Sequence, residues 1–438
     1  MPKAVSFRKG LSSVLFWSVI SAAFIGPGTV TTASSAGANF KLDLLWALTF
    51  SIIATIVLQE AAARITVASG KSLGEIIALK YSERNKRLRL LLFLAVAFGC
   101  AAYQTGNILG AVSGMLFLFT GISQWVLTLV LAAICVGILW VGNIQIIARS
   151  LGAVVALMGI AFCWVALQTD FGFVEISKAI LTPAFPANSS LLIIGLIGTT
   201  IVPYNLFLAS GIGQGQDIRE MRIGVIIAVV IGGLISIAIL FAGTFVNESY
   251  SYEALAKAMQ AKLGDWAILL FGFGLFAAGM TSCVTAPLAA AITGKSLLGN
   301  ENPKWQNHAL NFRLVWGAVF GIGLFFSLTG VKPIPAIILA QAINGVLLPV
   351  VTIFLLLAVN DQKLIPAEFK NKLFSNILTL LIVTVTCFLG LTNIWKALGN
   401  VIPVVNNWQN NLIWINLAFS GLVMLWLAFA VFSKQKTS

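Results

Sequence analysis

Gly26-Pro27-Gly28-Thr29 interrupts an apolar run, Val14 to Ala36, that is long enough to cross a bilayer. Proline removes a backbone donor, its ring clashes with the carbonyl one turn back, and the flanking glycines leave the backbone unshielded. In lipid each unpaired backbone group costs several kcal/mol, so such a stretch survives only against a protein-lined or wet cavity. Thr199-Thr200-Ile201-Val202-Pro203-Tyr204-Asn205 interrupts a second apolar run, about 191–212, in the same manner. A proline kink would explain either break alone. Two breaks in corresponding positions of two halves point to one shared binding site built from half-helix ends. Exposed amides at the start of a half-helix suit an anionic group, and exposed carbonyls suit a cation.

The elements that hold these breaks follow from composition. The chain is 438 residues, 59% hydrophobic and 9% charged, which no soluble domain of that length could hide. Twelve apolar segments near the roughly 20 residues a bilayer requires lie at about 14–36, 44–69, 90–118, 125–142, 150–168, 191–212, 222–246, 266–293, 311–329, 335–358, 373–395 and 409–433. The expected fold is therefore an all-α polytopic membrane protein in one transmembrane domain, 1–438. Spans one to five, about 14–168, would form one repeat. Spans six to ten, about 191–358, would form a second of opposite topology, since an odd span number inverts it. The last two spans, about 373–433, would be peripheral.

With the N-terminus inside, 20 of the 27 Lys/Arg fall on the inner face and six outside, with Arg64 at the inner end of span two. This charge bias places both termini in the cytoplasm, in the inner or plasma membrane of a bacterial-type cell. It also accounts for the net charge of +13 without a nucleic-acid partner. The first apolar run is too long for a cleavable signal and lacks a small-residue cleavage site.

Other polar residues are ambiguous. Thr31, Thr32, Ser34 and Ser35 follow the first break, where hydroxyls either meet a ligand or bond back to their own helix. Glu60 and Arg64 are one turn apart, most simply an internal ion pair, although intramembrane ionisable groups are also functional candidates. The third span offers no carboxylate but holds Tyr103, Gln104, Thr105 and Asn107. The eighth holds Thr281, Ser282 and Thr285, and the tenth Gln341 and Asn344, as interhelical glue or as pathway lining. Residues Tyr250 to Leu263 read as a short amphipathic helix on the outer surface. The five cysteines share no metal-ligand spacing, and a single histidine, His308, makes a histidine cluster impossible. No nucleophile–base pair or cofactor motif suggests an enzyme, and no cofactor is expected.

At these residues the chain resembles the NRAMP family of divalent-metal transporters, over roughly 14–395. Gly26-Pro27-Gly28-Thr29 stands in the place of that family's Asp-Pro-Gly-Asn motif, and Val202-Pro203-Tyr204 in the place of its Met-Pro-His. Gln341-Ala342-Ile343-Asn344-Gly345 resembles the family's tenth span, and Asn360-Asp361-Gln362-Lys363 the loop after it. The resemblance implies a LeuT-type fold, two inverted five-helix repeats with discontinuous helices one and six plus two extra helices, working by alternating access. The departures fall on the chemistry. Gly26 replaces the metal-binding aspartate, Thr29 the asparagine, Val202 the methionine and Tyr204 the histidine, and the acidic proton-relay position in span three is empty.

What remains is a neutral set: Gly26, Pro27, Gly28, Thr29, Thr199, Thr200, Val202, Tyr204, Asn205 and Gln341. Half-helix amides without a countercharge suit a small oxyanion such as bicarbonate. Uptake of an anion against a negative-inside potential needs a coupling cation. Na⁺ fits a site without His or carboxylate, held by carbonyls at Gly26 with Ser282 and Thr285. The alternative is a divalent cation, Mg²⁺ or Mn²⁺/Fe²⁺, with hydrated Mg²⁺ needing fewest direct protein ligands. A channel or non-transporting sensor is a third possibility. The partners expected are a small inorganic ion and the lipid bilayer, with the protein acting as a monomer.

Overall fold

The computed structural model describes residues 25–81, 85–141, 145–212, 217–299, 302–307, 309–401 and 409–433. The inner half of the first apolar run, the N-terminal basic residues and His308 lie outside them. Sixteen α-helices and no strand occur among the described residues.

The first repeat as read from the sequence holds α1 (Pro27–Phe40), α2 (Leu45–Ser69), α3 (Leu73–Lys80), α4 (Lys86–Leu118), α5 (Gln124–Val141) and α6 (Gln145–Ala166). A connecting helix, α7 (Phe173–Leu181), leads to the sixth run, which is two helices, α8 (Ser190–Thr200) and α9 (Pro203–Ile212). Then come α10 (Ile218–Gly243), α11 (Tyr252–Leu263), α12 (Trp266–Leu298), α13 (Leu310–Leu328) and α14 (Pro333–Val359), and last α15 (Leu373–Val401) and α16 (Gln409–Phe432).

Ten stretches among the described residues are long and apolar enough to span a membrane, and Ser150–Ala166 is a shorter eleventh. With α1 as the described part of the first run, each expected apolar segment is helical where described, apart from the break at 201–202 and a few end residues, among them the last of the seventh. Local sequence sets the ends. Ser72 and Glu75 form a reciprocal capping box at the start of α3, and Asp217 caps α10 through the amides of Arg219 and Glu220.

The outer surface is apolar, as a lipid-facing one must be. In α5, Leu127, Leu131, Cys135 and Leu139 are buried, while Val126, Leu129, Val130 and Ile134 are exposed. Trp125, Trp140, Trp164, Trp414 and Trp426 are also exposed, the residue type favoured at membrane–water boundaries. Inside, α12 packs along α4, and α14 packs against α8 and α4. α1 lies against α10 so closely that a Cβ on Gly37 would sit 1.9 Å from the Leu240 carbonyl oxygen. Reciprocally, a Cβ on Gly243 would lie 2.2 Å from the Ser34 oxygen. Small residues allow this backbone approach where lipid supplies no hydrophobic drive for helix association. α16 rests on α15 and α14, mostly exposed.

Candidate functional site

Both breaks are present, and they touch. Gly26 is extended (φ −96°, ψ 175°) and caps α1, with Pro27 as its first helical residue, where a missing N–H costs nothing. The first turn of α1 closes with the Val30 amide on the Gly26 carbonyl at 3.1 Å. On the other side α8 stops at Thr200, Ile201 leaves the helical region (φ −96°, ψ 80°), and α9 restarts at Pro203. The Asn205 amide closes onto the Val202 carbonyl at 3.0 Å. Thr29 Oγ1 and Thr199 Oγ1 are 3.1 Å apart, a buried hydroxyl contact across 170 residues that joins the two breaks.

Span ten completes the crossing. The Gln341 side chain lies on Gly28, where a Cβ would come within 2.1 Å of Nε2, and the Gln341 carbonyl lies on Gly198, again 2.1 Å from a Cβ. Glycine is needed at both places for α14 to enter. Gln341 is 1% exposed, and its Oε1 has no hydrogen-bond partner among the described residues. A buried amide oxygen left without a donor costs about 1–3 kcal/mol, so this atom is waiting for a donor or a cation. Ser282 Oγ lies 3.3 Å from where a Gly26 Cβ would stand, so α12 faces the first break at this residue. Thr285 gives its proton to the Thr281 carbonyl (2.8 Å), and Thr281 bonds back to Ala277 and Ala278 (3.0 Å each).

Tyr103 belongs to this cluster although the neutral set read from the sequence omits it. Its hydroxyl donates to the Gly198 carbonyl at 2.7 Å, and its ring meets Tyr204 edge-on at 5.8 Å. Gln104 donates to the Cys283 carbonyl (3.1 Å), and its Oε1, like Asn107 Nδ2, is buried without a partner among the described residues. A polar aromatic residue beside two amides in mid-span was the available signal. Val202 and Tyr204 are buried and Asn205 is partly buried at the start of α9.

The hydroxyls beyond the first break serve the helix. Thr31 and Thr32 bond to the Pro27 and Gly28 carbonyls at 2.6 and 2.8 Å, and Ser34 bonds to that of Val30. Thr31 and Ser34 also meet the hydroxyls of Tyr252 and Tyr250, both at 2.6 Å. The expected surface helix is thus α11, but its Tyr252, Leu255 and Met259 are buried, and Tyr252 with the preceding Tyr250 ties it to α1. Glu60 is an ion-pair hub: it accepts from Arg64 at 3.0 Å and Arg222 at 2.8 Å, while Arg64 also donates to Asn371 at 2.6 Å and to the Phe369 carbonyl. Among the described residues no cluster of three or more His, Cys, Asp or Glu could hold a metal ion.

The family model for natural resistance-associated macrophage protein-like proteins matches residues 18–396. The chain belongs to the Nramp family. It is an integral membrane transporter, not an enzyme. Among its Nramp relatives, a divalent metal cation transporter MntH from Verminephrobacter eiseniae is 24% identical over 90% of this chain and 92% of the relative. An MntH from Agrobacterium fabrum is 27% identical, over 91% and 90%. The fold matches that of a manganese transporter from Eremococcus coleocola (TM-score 0.70, 19% identity, 98% of this chain and 97% of that one). It also matches that of the nucleobase-cation-symport-1 transporter MHP1 (TM-score 0.54, 14% identity, 96% and 93%). This Nramp chain therefore has the LeuT-type fold that its two broken runs imply.

Proposed function

We propose that the protein carries a small inorganic ion by alternating access around the Thr29–Thr199 crossing, and that this ion is a divalent cation still holding much of its water, Mg²⁺ before Mn²⁺ or Fe²⁺. Relatives named as divalent metal cation transporters support the charge class. The observation that carries the reading is the unpartnered Gln341 Oε1, buried on Gly28 where α1, α8 and α14 meet. Together with the hydroxyl oxygens of Thr29 and Thr199 it offers neutral acceptors, which suit the water shell of a hydrated ion. Mg²⁺ keeps several waters, whereas Mn²⁺ and Fe²⁺ bind through anionic or softer ligands that Gly26 and Val202 do not provide. Other residues of the neutral set serve packing: Pro27 lies on Gly110, the Thr200 hydroxyl bonds to the Leu196 carbonyl at 2.9 Å and Tyr204 meets the Tyr103 ring. The order of the two ion classes reached from the sequence is thereby reversed, because that reading counted amide donors and left the orphaned acceptor out.

A second reading keeps a specific observation. The residues at the breaks carry no countercharge, and the amides opening α1 and α9 suit an oxyanion such as bicarbonate. Na⁺ would then be the coupling ion, held by the Gly26 carbonyl with Ser282 and Thr285. In both readings the protein sits in the plasma membrane as a monomer with cytoplasmic termini. Uptake into proteoliposomes of Mg²⁺, Mn²⁺ and labelled bicarbonate, with and without a Na⁺ gradient, separates the two. Saturable Mg²⁺ entry supports the first; bicarbonate entry that follows Na⁺, without divalent entry, overturns it.

A further inference from the structure

The Asn360–Lys363 loop plays no part in the crossing, yet it borders a cleft of about 420 Å³, on the side where the charge bias of the sequence puts most Lys and Arg. The cleft lies between the end of α3, the loop after α14 and the end of α16. Its polar side holds Lys80, Asn360, Asp361 and Lys363; its apolar side holds Leu79, Leu357, Ala430 and Val431.

Lys80 is the organising group. Its ammonium donates to Asp361 at 2.6 Å and to the Leu357 carbonyl at 2.7 Å, two of its three protons. Asp361 in turn accepts from the Lys363 amide at 2.9 Å, which folds the loop back and holds the exposed Lys363 on the cleft rim. Two lysines against one aspartate leave the cleft with one net positive charge. A cation-lined notch backed by aliphatic side chains at a membrane face has the two-part character of a phospholipid, with phosphate at the rim and an acyl chain on the wall. Lysine recognises phosphate as a point charge and needs no fixed fork geometry.

We propose that this cleft binds the phosphodiester headgroup of an anionic phospholipid, with Lys80 and Lys363 on the phosphate and the acyl chain along Leu79, Leu357 and Ala430. The bound phosphate competes with Asp361 for Lys80, so occupancy loosens the tie between α3 and α14. Because it concerns a surface cleft, the site is independent of which ion crosses at Thr29–Thr199.

The test is thermal unfolding of the purified full chain in detergent, titrated with dihexanoyl phosphatidylglycerol, dihexanoyl phosphatidylcholine or inorganic phosphate. Phosphatidylglycerol should raise Tm saturably and the other two should not. Lys363→Gln, an exposed change that spares the fold, should weaken the half-saturating concentration about five-fold. Lys80→Gln combined with Asp361→Asn, which avoids stranding the carboxylate, should do at least the same. Equal stabilisation by phosphatidylcholine would show that headgroup charge is irrelevant, and equal stabilisation by inorganic phosphate would make the ligand a soluble anion. Either result overturns the lipid assignment, as would variants that respond like the parent.

Discussion

Gly28→Ala is the sharpest perturbation of the crossing. The added Cβ would lie 2.1 Å from Gln341 Nε2 and 2.5 Å from its Cδ, whereas ordinary contact begins at 3.4 Å. The atoms it strikes end a flexible side chain, so the Gln341 amide can retreat by about 1 Å while the helices stay in place. The loss is then one neutral hydrogen bond to the ion's water shell, about 1 kcal/mol, or about a five-fold rise in the half-saturating ion concentration. Gly198→Ala is the control. Its Cβ would meet the Gln341 carbonyl oxygen at 2.1 Å and the Gly345 amide nitrogen at 2.5 Å, which are backbone atoms of α14 that cannot step aside. Overpacking of that kind costs about 1–3 kcal/mol and should appear as a lowered Tm. Proteoliposome uptake and thermal unfolding of both variants make the assay. An unchanged half-saturation in Gly28→Ala, with Tm also unchanged, would refute the placement of Gln341 on the ion path.

Further outcomes are expected. Thr29→Val and Thr199→Val should each weaken uptake, and the double variant should fall short of their sum by about 1 kcal/mol in a thermodynamic cycle. Glu60→Gln should lower stability by about 3 kcal/mol in denaturant titration, because it leaves the Arg64 side chain, 4% exposed, without its countercharge. Arg222→Gln, half exposed, should cost under about 1 kcal/mol. Calorimetric titration should give Mn²⁺ affinity no tighter than about millimolar, since the site supplies neither charge nor sulfur. If bicarbonate proves to be the cargo, Ser282→Ala with Thr285→Ala should raise the half-maximal Na⁺ concentration, and uptake undiminished in Na⁺-free buffer would end the Na⁺ coupling idea.

The breaks were legible because proline and glycine act locally: a missing donor at Pro203 and the bare backbone around Pro27 mark a helix end in any context. The Glu60–Arg64 pair was legible for the same reason, one turn of one helix. Arg222 and Asn371, its other partners, come from distant segments that no local pattern connects to it. Tyr103 escaped the site list because its bond to Gly198 depends on how α4 and α8 pack, and a tyrosine in mid-span fits a core equally well. Thr31, Thr32 and Ser34 showed the opposite limit. Their sequence left open a ligand or the helix itself as partner, and the structure shows the carbonyl four residues back taking each hydroxyl. The proposal of a cation draws on the relatives and on Gln341 Oε1, whose lack of a donor among the described residues no sequence pattern could show.

That atom also gives the most direct test. Gln341→Leu is close to isosteric and removes a buried acceptor that has no partner among the described residues, so Tm should stay level or rise. Mg²⁺ entry into proteoliposomes, followed with a trapped indicator, should need a Mg²⁺ concentration higher by about five-fold or more for half-saturation in this variant. Entry at the parental rate, with Tm preserved, would contradict a hydrated cation passing over Gln341.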